Sequence, residues 1–96
     1  MTTSWGEAGQ LVTTRGVHEL MASDGRFFEA VMAALRRYCQ GDWGECCADD
    51  AALNDEAAHT PGSGRTLAAY MAASRKIWII TEADRSVTTI LFPSEY

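Results

Sequence analysis

"IWIITEADRSVTTILF", Ile77 to Phe92, decides how this chain folds. Its two flanks, Ile77–Thr81 and Val87–Phe92, are built of β-branched, aromatic and other apolar residues, which is the composition of β-strands. Apolar residues fall on both faces of these runs, so at least one strand is expected in the interior of a sheet. Between them lies Glu82–Ser86, a stretch too short for anything but a hairpin loop. It carries a knot of charge: Glu82, Asp84 and Arg85. Asp, Arg and Ser are ordinary loop residues, and an Asp84 side chain can cap its own turn. Closing the hairpin is therefore their default role, and the three charges are kept as candidate partner-binding residues. Pro93 ends the second strand by removing a ladder N–H.

Upstream, Arg65–Met71 is the third strand of this half. Its neighbourhood holds four alanines, Ala68, Ala69, Ala72 and Ala73, which favour helix by propensity. Gly64 and the short Ala-Ser-Arg link favour a hairpin arm instead, and a strand is the reading taken. "HTPGSG", His59 to Gly64, is the strongest loop signal and divides a helical half from a sheet half.

In the helical half, Phe27, Phe28, Val31, Leu35, Tyr38 and Cys39 recur at helical spacing, with Arg26, Glu29, Arg36, Arg37 and Gln40 opposite. Arg36 and Arg37 suit the negative end of the helix dipole, and Gly41 is the stop. A shorter helix precedes it, with Val17, Leu20 and Met21 on one face. Ser23-Asp24-Gly25 separates the two, and Asp24 or Ser23 is available as N-cap. Gln10–Thr14 reads as a short edge strand. Residues 1–9 read as a flexible lead-in, with Trp5 either exposed or folded back on the core, and 10–96 as a single domain. The expected fold is α+β: two or three helices packed on a small, mainly antiparallel β-sheet with a C-terminal β-hairpin.

The segment "GDWGECCADDAALNDEAA", Gly41 to Ala58, predicts a third helix starting at Trp43 or Gly44 and ending near Ala58. Asp42 followed by Glu45 has the spacing of a capping box, with Trp43 packed beside the helix entry. Cys47, Ala51 and Leu53 are its weak apolar positions, and Asp49, Asp50, Asp55 and Glu56 lie outside. Six of the thirteen acids fall between Asp42 and Glu56. They form either a solvated face or a negative ridge able to meet a basic groove. Trp43, Trp78 or Tyr96 is a suitable aromatic anchor for such a contact, with Trp78 better placed in the core.

Eight Lys and Arg against thirteen Asp and Glu give a net charge of −5, which speaks against direct nucleic-acid binding through a basic surface. No apolar run approaches the roughly 18 residues of a membrane span. Met1–Gly9 has neither a basic nor an apolar leader pattern, so a cytoplasmic location is expected. Three cysteines, two of them adjacent, agree with reduced thiols rather than a disulfide framework. Cys39, Cys46, Cys47 and His59 contain no C-x-x-C pair, so neither a metal nor another cofactor is expected. His18 or His59 with Glu82, Asp84 and Arg85 would suit a small nuclease-like toxin or accessory enzyme. No motif ties these positions together, and a non-enzymatic role is preferred.

"KIWIITEADRSVTTILFPSEY", Lys76 to Tyr96, together with "GDWGE", Gly41 to Glu45, resembles a family of small proteins of plasmids, phages and conjugative elements. Its members are often labelled plasmid-related proteins or type I restriction subunit M. The resemblance runs from about the second helix to the C-terminal end. A methyltransferase is excluded by the sequence, which lacks a Gly-rich cofactor loop, an Asn/Asp-Pro-Pro-aromatic motif and the length for that fold. The resemblance implies a mobile-element setting, where small acidic proteins are often anti-CRISPR or anti-restriction inhibitors. Such a protein binds a host complex with a basic surface, a CRISPR effector or restriction enzyme, and blocks its nucleic-acid site or conformational step.

Overall fold

The hairpin predicted at Ile77–Phe92 forms the middle of a four-stranded sheet in the computed structural model, which describes residues 1–96. Its arms are β5 (Arg75–Thr81) and β6 (Val87–Leu91), antiparallel, with Trp78 opposite Leu91 and Thr81 opposite Thr88. The alanine-rich segment is a strand, β4 (Thr66–Ala72), antiparallel to β5 along its whole length. Helix propensity loses here because Ala68, Tyr70 and Ala72 alternate inward, opposite Ile79, Ile77 and Arg75. The turn joining β4 to β5 holds Ala73 and Ser74 at φ 48° and 71°, the left-handed pair of a tight hairpin. On the other side of β6 lies β3 (Gln10–Thr13), the edge strand, and it runs parallel to β6. The order β3-β6-β5-β4 is thus mixed but mainly antiparallel.

All three helices fall between β3 and β4: α1 (Arg15–Ser23), α2 (Gly25–Cys39) and α3 (Ala48–His59). The fold is α+β. Asp24 starts α2 by accepting hydrogen bonds from the backbone N–H groups of Arg26 and Phe27, at 3.0 and 3.2 Å. The inner stripe of α2, Phe27, Val31, Ala34, Leu35 and Tyr38, packs with Val17 on Tyr70, Ile77, Ile79 and Ile90. Small alanines on β4 leave room for the helix backbone. Phe28, expected on that stripe, is 45% exposed, because it sits about 100° around the helix from Phe27. No helix is long and apolar enough to cross a membrane.

Three expectations change. α3 begins at Ala48 with Cys47 as N-cap, not at Trp43 or Gly44, and Asp42 and Glu45 form no capping box. The chain from Trp43 to Glu45 instead lies along β4: Glu45 N–H donates to the Ala69 carbonyl at 2.7 Å, and Ala69 N–H reaches the Trp43 carbonyl at 3.4 Å. Gly44 makes this possible, with φ 72° and a virtual Cβ that would lie 2.0 Å from the Ala69 oxygen. Of the expected apolar positions of α3, Ala51 packs against the core, but Leu53 is 63% exposed and Cys47 is exposed, and the residues buried deepest are Asn54, Ala57 and Ala58. Residues 1–9, expected as a flexible lead-in, form a small hairpin of β1 (Thr2–Thr3) and β2 (Gly6–Glu7). Trp5 folds back, donating from Nε1 to the Tyr38 carbonyl at 3.0 Å and resting against the rings of Tyr38 and Trp43.

Candidate functional site

The charged loop after β5 is tied inward. Asp84 accepts the Ser86 N–H at 3.0 Å, and hydrogen bonds from Ser86 hold its carboxyl below the usual carboxylate range. Arg85 takes φ 58° and sends its guanidinium into the body of the molecule. Nη2 donates to the carbonyls of Ala57 and Ala58 at 3.1 and 2.5 Å, in the last turn of α3. Nη1 donates to those of Trp5 and Glu7 at 3.2 and 3.4 Å, and the group lies 5.0 Å from the Trp5 ring centre. One cation thus satisfies helix-end carbonyls that have no partner within their own helix. Its donors are committed to the fold rather than to a ligand. Glu82 shapes the loop with its backbone, accepting from Arg85 N–H at 2.8 Å and donating to Val87 at 3.1 Å.

The acidic segment divides into a neutralised part and a free part. Asp42 receives a forked contact from Arg37, 2.7 and 3.2 Å, and this pairing, aided by the Gly44 N–H, keeps its carboxyl below the usual range. Arg37 also lies over the Tyr70 ring, 5.2 Å from its centre. Glu45 approaches Lys76 at 3.9 Å. Trp43 is buried, and its indole N–H donates to Asp55 at 2.8 Å, so it braces α3 from within instead of offering a surface anchor. Asp49, Asp50 and Glu56 are exposed without an ion pair, and Leu53 stands exposed among them. Asp49 and Asp50 occupy the first turn of α3, where negative charge complements the helix dipole.

The device that holds α3 in place is Asn54, whose role sequence reasoning missed. Its side-chain amide accepts from Leu67 N–H at 3.0 Å and donates to Leu67 C=O at 2.8 Å, as a neighbouring strand would. With Trp43–Glu45 on Ala69, this occupies the outer edge of β4 at Leu67 and Ala69. A second missed feature is a buried chain of hydroxyls. Tyr38 contacts the Thr66 and Thr81 hydroxyls, Thr81 meets Thr88 at 2.8 Å, and Thr88 donates to the Ala8 carbonyl at 2.6 Å.

The remaining chemistry-bearing residues lie apart. His18 is exposed on α1, and His59 at the end of α3 places Nδ1 2.7 Å from the Asp55 carbonyl. Burial pushes the Cys39 and Cys46 thiols up, and Cys46 donates weakly to the Leu67 carbonyl. No three His, Cys, Asp or Glu side chains converge on a point that could hold a metal ion. Comparison with family models, curated proteins and solved structures finds no match.

Proposed function

We propose that this chain is a non-enzymatic inhibitor of a host defence complex, of the anti-CRISPR or anti-restriction type, acting through the outer face of α3. The observation that carries this reading is the mounting of that helix. Asn54, Ala57 and Ala58 are the residues of α3 buried beneath it, so Asp49, Asp50 and Glu56, with Leu53 between them, project outward. An acidic ridge with an apolar residue in its middle suits a basic, nucleic-acid-binding groove on another protein. The resemblance of Lys76–Tyr96 to mobile-element proteins supports the class of target.

The test is DNA cleavage by purified CRISPR effector and type I restriction complexes, with and without this protein, alongside a binding titration at low and high salt. Inhibition is expected, with binding that weakens as salt rises, mainly through the on-rate. Asp49→Lys with Asp50→Lys is expected to weaken binding at least tenfold while the circular dichroism spectrum stays unchanged. Binding indifferent to both salt and charge reversal would remove α3 from the interface, and cleavage unaffected in every complex would remove the proposed activity.

A further inference from the structure

We infer that the cleft between α3 and the start of β4 binds an α-amino acid with an apolar side chain, taken up as the zwitterion. The cleft has a volume of about 410 Å³, the scale of a small-molecule site, and is lined by Cys46, Asp50, Leu53, Asn54, Arg65 and Leu67. Its two charged residues, Asp50 and Arg65, have opposite signs. Neither takes part in an ion pair, with the other or with any further residue.

The cleft does not close on itself, because Arg65 is held back. Its guanidinium donates to the Tyr96 hydroxyl and lies 5.3 Å from the centre of that ring, and the ring in turn rests edge-on against Trp78 at 5.6 Å. One hydrogen bond to Tyr96 leaves the other N–H donors of Arg65 available to a carboxylate. On the opposite wall, burial pushes the Cys46 thiol up and the charge of Asp50 adds to it, which sets that carboxylate toward the cleft. The polar groups between the two walls are already spent. Asn54 and the Leu67 peptide groups bond each other, and the Cys46 thiol donates to the same carbonyl. Recognition therefore falls to the two charges and to the side chains of Leu53 and Leu67. An ammonium beside Asp50 and a carboxylate beside Arg65, carried on one α-carbon, leave neither charge unpaired. A simple cation or anion would satisfy one wall and be repelled by the other. The two leucines then receive the apolar side chain, and Leu53, 63% exposed, gains a partner. The site shares Asp50 and Leu53 with the outer face of α3, but it does not depend on the inhibitor reading.

The experiment is a titration of the full, isotope-labelled chain with L-leucine, read from amide NMR shifts. Saturable shifts are expected at Asp50, Leu53 and Leu67, with a dissociation constant in the millimolar range, as half-exposed charge pairs allow. N-acetyl-leucine lacks the ammonium and leucine amide lacks the carboxylate, and each should bind about threefold more weakly than leucine. Glycine should also bind more weakly, because it leaves the two leucines uncovered. Asp50→Asn should erase the preference for leucine over N-acetyl-leucine and keep the preference over leucine amide. Arg65→Gln should do the reverse. Both variants should keep the wild-type circular dichroism spectrum. No saturable shift with leucine, shifts centred outside the cleft, equal binding of the three probes by the wild type, or preferences untouched by both substitutions would each overturn the proposal. None of these readings involves a defence complex, so failure here is distinct from failure of the inhibitor reading.

Discussion

Arg85 answers the question that its own loop poses. Its guanidinium joins the N-terminal hairpin, the end of α3 and the β5–β6 loop, segments with no neighbourhood in sequence. Arg85→Ala is expected to cost about 2 kcal/mol, the scale of hydrogen bonds to a charged group, read as a lower urea midpoint. Arg85→Lys should recover only part, since an ammonium lacks the planar fork. A second expectation concerns Tyr38 and Tyr70. Burial raises both phenols above their ordinary value. The unfolded chain therefore releases these protons near pH 10 while the folded chain keeps them. Their contribution is complete below about pH 10 and is lost as pH climbs toward the raised folded values. Thermal melts from pH 8 to 11 should show that decline, and Tyr38→Phe should make it shallower. At this scale the sequence reveals what is local. The Asp84 turn cap was readable because its partner is two residues away, whereas the carbonyls that Arg85 binds come from remote positions.

Elements were legible in proportion to the size of the side chains they bury. α2 declares itself through Phe27, Val31, Leu35 and Tyr38, and the β5–β6 hairpin through its isoleucines and Trp78. α3 does not, because it docks through an amide and the small alanines 51, 57 and 58. The search for larger apolar positions pointed instead at Leu53, which faces solvent. Its start was misplaced for a related reason: Gly44 and the backbone pairing with Ala69 hold an extended segment where side-chain spacing alone suggests a capping box. Asn54→Ala should cost about 2 kcal/mol, from two hydrogen bonds of roughly 1 kcal/mol each. Hydrogen exchange at Leu67 N–H should rise with it, and an unchanged Leu67 would show that other contacts hold α3 on the sheet.

The whole molecule has two unlike edges, one open at β3 and one occupied at β4 by Asn54 on Leu67 and by the Trp43–Glu45 segment on Ala69. The α+β class was legible from hairpin, loop and helix signals taken in order. The parallel partnership of β3 with β6 was not, because no local signal links Gln10–Thr13 to Val87–Ile90. That partnership has a kinetic consequence. Synthesis proceeds from the N-terminal end, so β3 leaves the ribosome early and has no strand to join until β6 follows. β6 is an interior strand, flanked by β3 and β5, and it emerges after every other strand of the sheet. The growing chain can form α2 and the β4–β5 hairpin, both local, yet its hydrophobic layer stays open until β6 has emerged. Closure of the sheet thus waits for β6, and the β5 isoleucines keep an open flank until Val87–Leu91 covers it.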